Sequence, residues 1–229
     1  MKDATEPNQS SEPTTTAVTI PAAQEVAPAA VMSLCNVGQN PSMAIIETRR
    51  LCLREVGTDD AEFIFLLMNE LAYIQHIGDR GVRTVEKARS YIAEKFASSY
   101  SKFGFGLYLV ELKSSRVPVG ICGFVRRDSL EHPDVGFAFA RKYWSQGFAY
   151  EAANAMLEYG FGQLGFEMVL GVTSPSNNAS IRLLEKLGLR YLKMARVPPN
   201  DSDSMLFSAD TKRPNSERSA SQQPTPDAG

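Results

Sequence analysis

Apolar positions recur through the middle of the chain with two alternating periods. From Phe148 onward they fall at Ala152, Ala155, Met156 and Tyr159, the spacing of one helical face, with Glu151, Asn154 and Glu158 opposite. Just upstream, residues 135–140 form a short run of small and aromatic side chains suited to a buried strand. Earlier, residues 47–56 alternate Leu51 and Leu53 with polar neighbours and predict a first strand. Thr58, Asp59 and Asp60 then supply a cap and an acidic first turn for a helix with Ile64, Leu67, Met68 and Leu71 on one face. Thr84 starts a second helix, its apolar side made by Val85, Ala88, Ile92 and Phe96. The Gly-containing stretch 72–83 between them predicts a loop. Strands at 105–113 and 119–126 flank a turn at 114–118, and a fifth strand covers 168–173. A last helix opens at Asn177, buries Leu183, Leu184 and Leu187, and stops at Gly188. Residues 190–196 form a sixth strand, and 205–208 a short seventh.

The predicted order, β-α-α-β-β-β-α-β-α-β-β, is a mixed α/β domain around one sheet. It occupies residues 43–207, with tails at 1–42 and 208–229. Both tails are rich in Ala, Thr, Pro, Ser and Gln and nearly free of aromatics, a composition that predicts disorder. The first tail contains acidic residues but no arginine and no apolar h-region, which argues against a transit or secretory peptide.

Charge and cysteine usage narrow the chemistry. With 24 basic and 26 acidic residues the chain advertises no general affinity for nucleic acid or anionic membrane. Its three cysteines lack C-x-x-C spacing and its two histidines are too few for a histidine metal cluster. No apolar run reaches the length of a membrane span. The expectation is a cytoplasmic protein without a metal.

The candidate chemistry sits at Gln146-Gly147-Phe148-Ala149, between the central strand and its helix. A small-residue turn at a helix start leaves several backbone N–H groups without intrahelical partners, at the positive end of the helix dipole. That is a seat for a phosphate or pyrophosphate. It is equally the geometry of many strand–helix turns that bind nothing.

With this arrangement the chain resembles the GNAT acyltransferase superfamily, in particular the branch that includes RimJ/RimL-type ribosomal-protein N-terminal acetyltransferases. The resemblance covers roughly residues 47–196. It rests on Tyr143-Trp144-Ser145-Gln146-Gly147-Phe148-Ala149 with Glu151-Ala152, and on Asn177-x-x-Ser180 leading into Leu184-Glu185-Lys186-Leu187-Gly188. It implies a mixed, mostly antiparallel sheet of six to seven strands flanked by about four helices. It also implies a pyrophosphate loop for coenzyme A at 146–149 and a helix beginning at Asn177 beside the pantetheine arm. The central strand would bulge near Phe137, Ala138 and Phe139 and splay from the fifth strand, letting pantetheine slot between them. A free backbone N–H there would polarise the thioester carbonyl.

The implied activity is acetyl-CoA-dependent transfer of acetyl to a primary amine, on a small molecule or a protein N-terminus, by a monomer or homodimer. The alternative is a GNAT-fold module that binds acyl-CoA without turnover. A nucleotide-binding domain is disfavoured by the absence of G-x-x-x-x-G-K-[ST] and G-x-G-x-x-G. Many family members carry a tyrosine on the last helix as acid toward the thiolate; Leu184 holds that place, with Ser180 or Tyr191 as substitute hydroxyls. Amine attack needs a base, and Asp134, at the start of the central strand, is the first candidate; His132, Glu131 and Asp128 read as solvated. Asn177 either contacts pantetheine or caps its helix. Trp144 is expected to pack under the loop and Cys122 in the core. On the acceptor side the loop bearing Asp79 and Arg80 is ambiguous, since the first suits a cation and the second an anion.

Overall fold

The computed structural model describes residues 44–198 and 203–211. The expectations for residues 1–42 and for the tail beyond Thr211 lie outside the described residues. Strands β1 (Ile46–Glu47), β2 (Leu51–Arg54), β3 (Leu107–Leu112), β4 (Pro118–Val125), β5 (Asp134–Phe139), β6 (Met168–Thr173), β7 (Arg190–Arg196) and β8 (Asp203–Asp210) form one sheet. Its order is β1-β2-β3-β4-β5-β6-β8-β7, antiparallel throughout except between β5 and β6. The sheet therefore has eight strands where six to seven were expected. The first predicted strand is two. Thr48 accepts the Leu51 N–H at 3.0 Å and Glu151 takes the Arg50 N–H at 2.8 Å, so the chain turns back on itself. At the other end β8 runs past Phe207 to Asp210, extending the expected domain boundary.

Helix α1 (Ala61–Asn69) does not continue through Leu71 as its periodicity suggested. The Asn69 amide donates to the Phe65 and Val82 carbonyls at 2.7 and 2.8 Å, and Glu70 is extended. The chain restarts as α2 (Leu71–His76), which leaves Leu71 82% exposed and replaces the first half of the expected 72–83 loop. Helix α3 (Val85–Tyr91) is capped by Thr84, whose hydroxyl accepts the Lys87 N–H at 3.2 Å. It passes through a π-helical segment, Ile92–Ala97, into α4 (Ser98–Phe103).

The sheet separates two apolar layers, as the two-residue period of a strand requires. Tyr108, Val110, Cys122 and Phe124 face a core closed by α5 (Phe148–Gly162) and α6 (Asn178–Lys186). Leu109 and Ile121 face the other way, onto Ile64, Leu67, Ala88 and Ile92 of α1 and its neighbours. Cys122 is the core thiol expected, and burial pushes its ionisation far up.

Candidate active site

The site is a gap in the sheet. Strand β5 touches β6 at a single register pair, Asp134 with Leu170, where the Leu170 N–H donates to the Pro133 carbonyl at 2.9 Å. Beyond that pair β6 runs on beside β8, from Met168 to Thr173, and shares no further register pair with β5. The expected splay is present. The expected bulge is not: β5 pairs with β4 from Asp134 to Phe139 without a register shift. The regular ladder itself exposes backbone to the gap. The Ala140 N–H donates to the Val119 carbonyl at 3.0 Å, so alternate residues Asp134, Gly136 and Ala138 bond to β4. Phe137 and Phe139 then turn their N–H and C=O groups toward the gap. The Phe139 carbonyl is taken by the Trp144 indole N–H at 2.6 Å, which ends the edge that Phe137 begins.

A cleft of about 370 Å³ opens along this edge. Phe137, Ala138 and Phe139 form one wall and Asn177, Ser180 and Leu183 of α6 another. Gly147, Phe148 and Ala149 form its end at the start of α5. There Ser145 and Gly147 both adopt left-handed backbone, φ 60° and 80°. For Ser145 that conformation is strained, and the first N–H groups of α5 lack intrahelical partners, as at any helix start. The side chain of Gln146 does not line the cleft; its amide donates to the Lys142 carbonyl at 3.0 Å, and the backbone carbonyl of Gln146 receives Arg50. Asn177 both caps and lines: its oxygen accepts the Ser180 N–H at 3.1 Å, while the residue borders the cleft beside Ser180. Trp144 is not packed beneath the turn. It is 42% exposed and borders the cleft.

Several candidates lie elsewhere. Asp134 is 2% exposed and sits at the closed end of the gap, gripped by Arg127 at 2.8 and 3.2 Å. Burial pushes its carboxyl up and the Arg127 guanidinium pulls it back. It does not line the cleft, so the expectation of a carboxylate facing the acceptor is corrected. Asp128, Glu131 and His132 do not line it either. Leu184, at the position of the family's tyrosine, is 1% exposed and packs on Gly171, while Tyr191 is half-exposed on β7 against Phe207. Neither borders the cleft. Asp79 is exposed and pairs with Arg83, which together with the Gly81 N–H holds its carboxyl below the usual range. Arg80 interacts with Tyr73 and does not border the cleft, and its Nε is buried and unbonded.

A further wall comes from α2 and the residue that follows it: Tyr73, His76 and Ile77 border the cleft, with Glu70 at the helix start. Sequence reading missed them because 72–83 read as a loop. The signal that could have found them is the spacing of Tyr73, His76 and Ile77 on one helical face. Glu70 accepts the Arg141 N–H at 3.0 Å and so fastens this wall to the end of β5.

Residues 50–190 match the acetyltransferase (GNAT) domain family. The chain belongs to the GNAT family. It is 38% identical over 96 residues to YkkB of Bacillus subtilis (strain 168), covering 41% of this chain and 56% of that protein. It is 30% identical over 147 residues to YoaA, an uncharacterized N-acetyltransferase of the same organism, covering 64% of this chain and 82% of YoaA. Among solved structures the fold matches RimL, a ribosomal L7/L12 alpha-N-protein acetyltransferase in complex with coenzyme A. That match has a TM-score of 0.63 and 13% identity, covering 73% of this chain and 98% of RimL. Among the described residues no helix is long and apolar enough to cross a membrane, and no cluster of His, Cys, Asp or Glu is placed to hold a metal ion.

Proposed function

We propose that the cleft binds acetyl-CoA and transfers its acetyl group to a primary amine. One observation carries this reading: the unpaired edge of β5 leads directly to the Gly147 turn at the head of the 15-residue helix α5. An extended pantetheine arm would bond a strand edge, and a pyrophosphate would be met by the unpartnered N–H groups of a helix start; both border one cleft, which supports the reading.

In this reading the Phe137 N–H faces the thioester carbonyl and stabilises the negative charge that develops on its oxygen. The α2 wall receives the acceptor. Its nitrogen forms the new C–N bond, the C–S bond breaks, and the sulfur leaves as thiolate. A thiol ordinarily ionises near pH 8.5, so departure needs little proton assistance, and the loss of a tyrosine at Leu184 is tolerable. The amine proton passes to His76, the cleft-lining imidazole, directly or through water. Asp134 holds the closed end of the gap. Ser180 offers a hydroxyl beside the thiolate's position.

The test is a thermal melt with acetyl-CoA, using ATP and NAD as controls, followed by free-thiol release with a panel of amines. At a hundred times its dissociation constant a ligand adds about 2.7 kcal/mol, raising the melting temperature of a domain this size by roughly 5–11 °C. No shift with millimolar acetyl-CoA refutes the reading. A shift without thiol release from any amine would instead make this a non-catalytic acyl-CoA-binding module.

A further inference from the structure

Arg50 lies outside the 146–149 turn in sequence yet is bound into it. Its Nη1 donates to the Gln146 carbonyl at 3.0 Å, and its Nε to Glu151 Oε2 at 2.6 Å. Its backbone N–H donates to Glu151 Oε1 at 2.8 Å, an oxygen that also takes the Thr48 hydroxyl at 2.6 Å. The guanidinium carbon stands 4.5 Å above the centre of the Phe148 ring, and Nη2 is 3.4 Å from where a Cβ on Gly147 would project. One side chain therefore touches the residues before, after and opposite the glycine. Glu151 in turn lies on the first turn of α5, so the β1–β2 hairpin is tied to the helix start at two levels.

We infer that Arg50 is a positioning residue for the coenzyme diphosphate: it fixes the Gln146 carbonyl away from the cleft and so aims the N–H groups of the turn. The inference rests on the acetyl-CoA reading. The chemistry is specific to a guanidinium. A planar fork bonds a carbonyl and a carboxylate at once while stacking on an aromatic ring, which an ammonium cannot do. The turn needs such a brace because Ser145 is held in left-handed backbone, a conformation that relaxes unless its surroundings over-determine it.

The experiment compares wild type, Arg50→Met and Arg50→Lys by calorimetric titration with coenzyme A and with pantetheine, which lacks the diphosphate, together with melting curves. Arg50→Met should bind coenzyme A about tenfold more weakly, the size of one lost charge-assisted hydrogen bond, and bind pantetheine as wild type does. Arg50→Lys should not restore the affinity. Equal weakening toward both ligands would mean a general structural role and overturn the inference. So would unchanged affinity for coenzyme A in Arg50→Met, or full rescue by lysine, which would reduce the residue to a charge. If wild type binds neither ligand, the acetyl-CoA reading fails first, and the inference with it.

Discussion

Replacing Leu184 with tyrosine would install the residue type that many GNAT members carry as an acid. The structure says that it would not act as one. Leu184 is 1% exposed, and its Cδ2 and Cδ1 occupy space only 2.7 and 3.1 Å from where a Cβ on Gly171 would stand. A ring cannot enter there without moving α6 or β6. Overpacking costs about 1–3 kcal/mol, and a buried hydroxyl without a partner about 1–3 more. A total near 3–4 kcal/mol lowers the melting temperature of a domain this size by roughly 6–16 °C. Turnover, measured by thiol release well below the melt, should not rise, because the side chain is aimed into the core and not into the cleft. Proton assistance is worth roughly 10²–10⁴-fold when a group is in place. A rise approaching that range, with the melt unchanged, would show that position 184 reaches the leaving sulfur and would refute the packing argument.

Asp134→Asn should leave turnover within a few-fold of wild type, since the carboxylate is bound to Arg127 away from the cleft; a loss of about 10² or more with an intact melt would make Asp134 the base. Gly147→Glu should abolish the acetyl-CoA melt shift, because it sets a carboxylate at the turn in a backbone conformation (φ 80°) that disfavours side chains. Retention of the shift would move the diphosphate site elsewhere. Glu151 gives a pH signature. Burial opposes its ionisation, but the bonds from Thr48 and Arg50 outweigh it and hold its carboxyl below the ordinary value of 4.5. A depressed carboxylate stabilises the fold fully above about pH 4.5, and that contribution is lost as pH falls through the lower folded value. Urea unfolding between pH 3 and 6 should therefore show a steeper acid-side loss in wild type than in Glu151→Gln, and parallel curves would contradict the network.

Local pattern determined most of the elements. The period of Phe148, Ala152 and Met156, the cap at Thr84 and the Asn177–Ser180 bond are set by residues within a turn of one another, so they are legible in one dimension. The turn at Gly147 was legible for the same reason. Where the helix after Asp60 ends was not, because Asn69 stops it by reaching Val82, thirteen positions along the chain. That break created α2 and with it the cleft wall of Tyr73 and His76. The direction of a side chain was equally hidden: Asp134 and Leu184 stand in functional-looking places along the sequence, but Arg127 and Gly171 draw them away from the cleft. The gap itself is a divergence of two strands distant in sequence. β5 and β6 meet at Asp134 and Leu170 and then part, which leaves the outer edge of Phe137 without a neighbouring strand, an outcome no local pattern encodes.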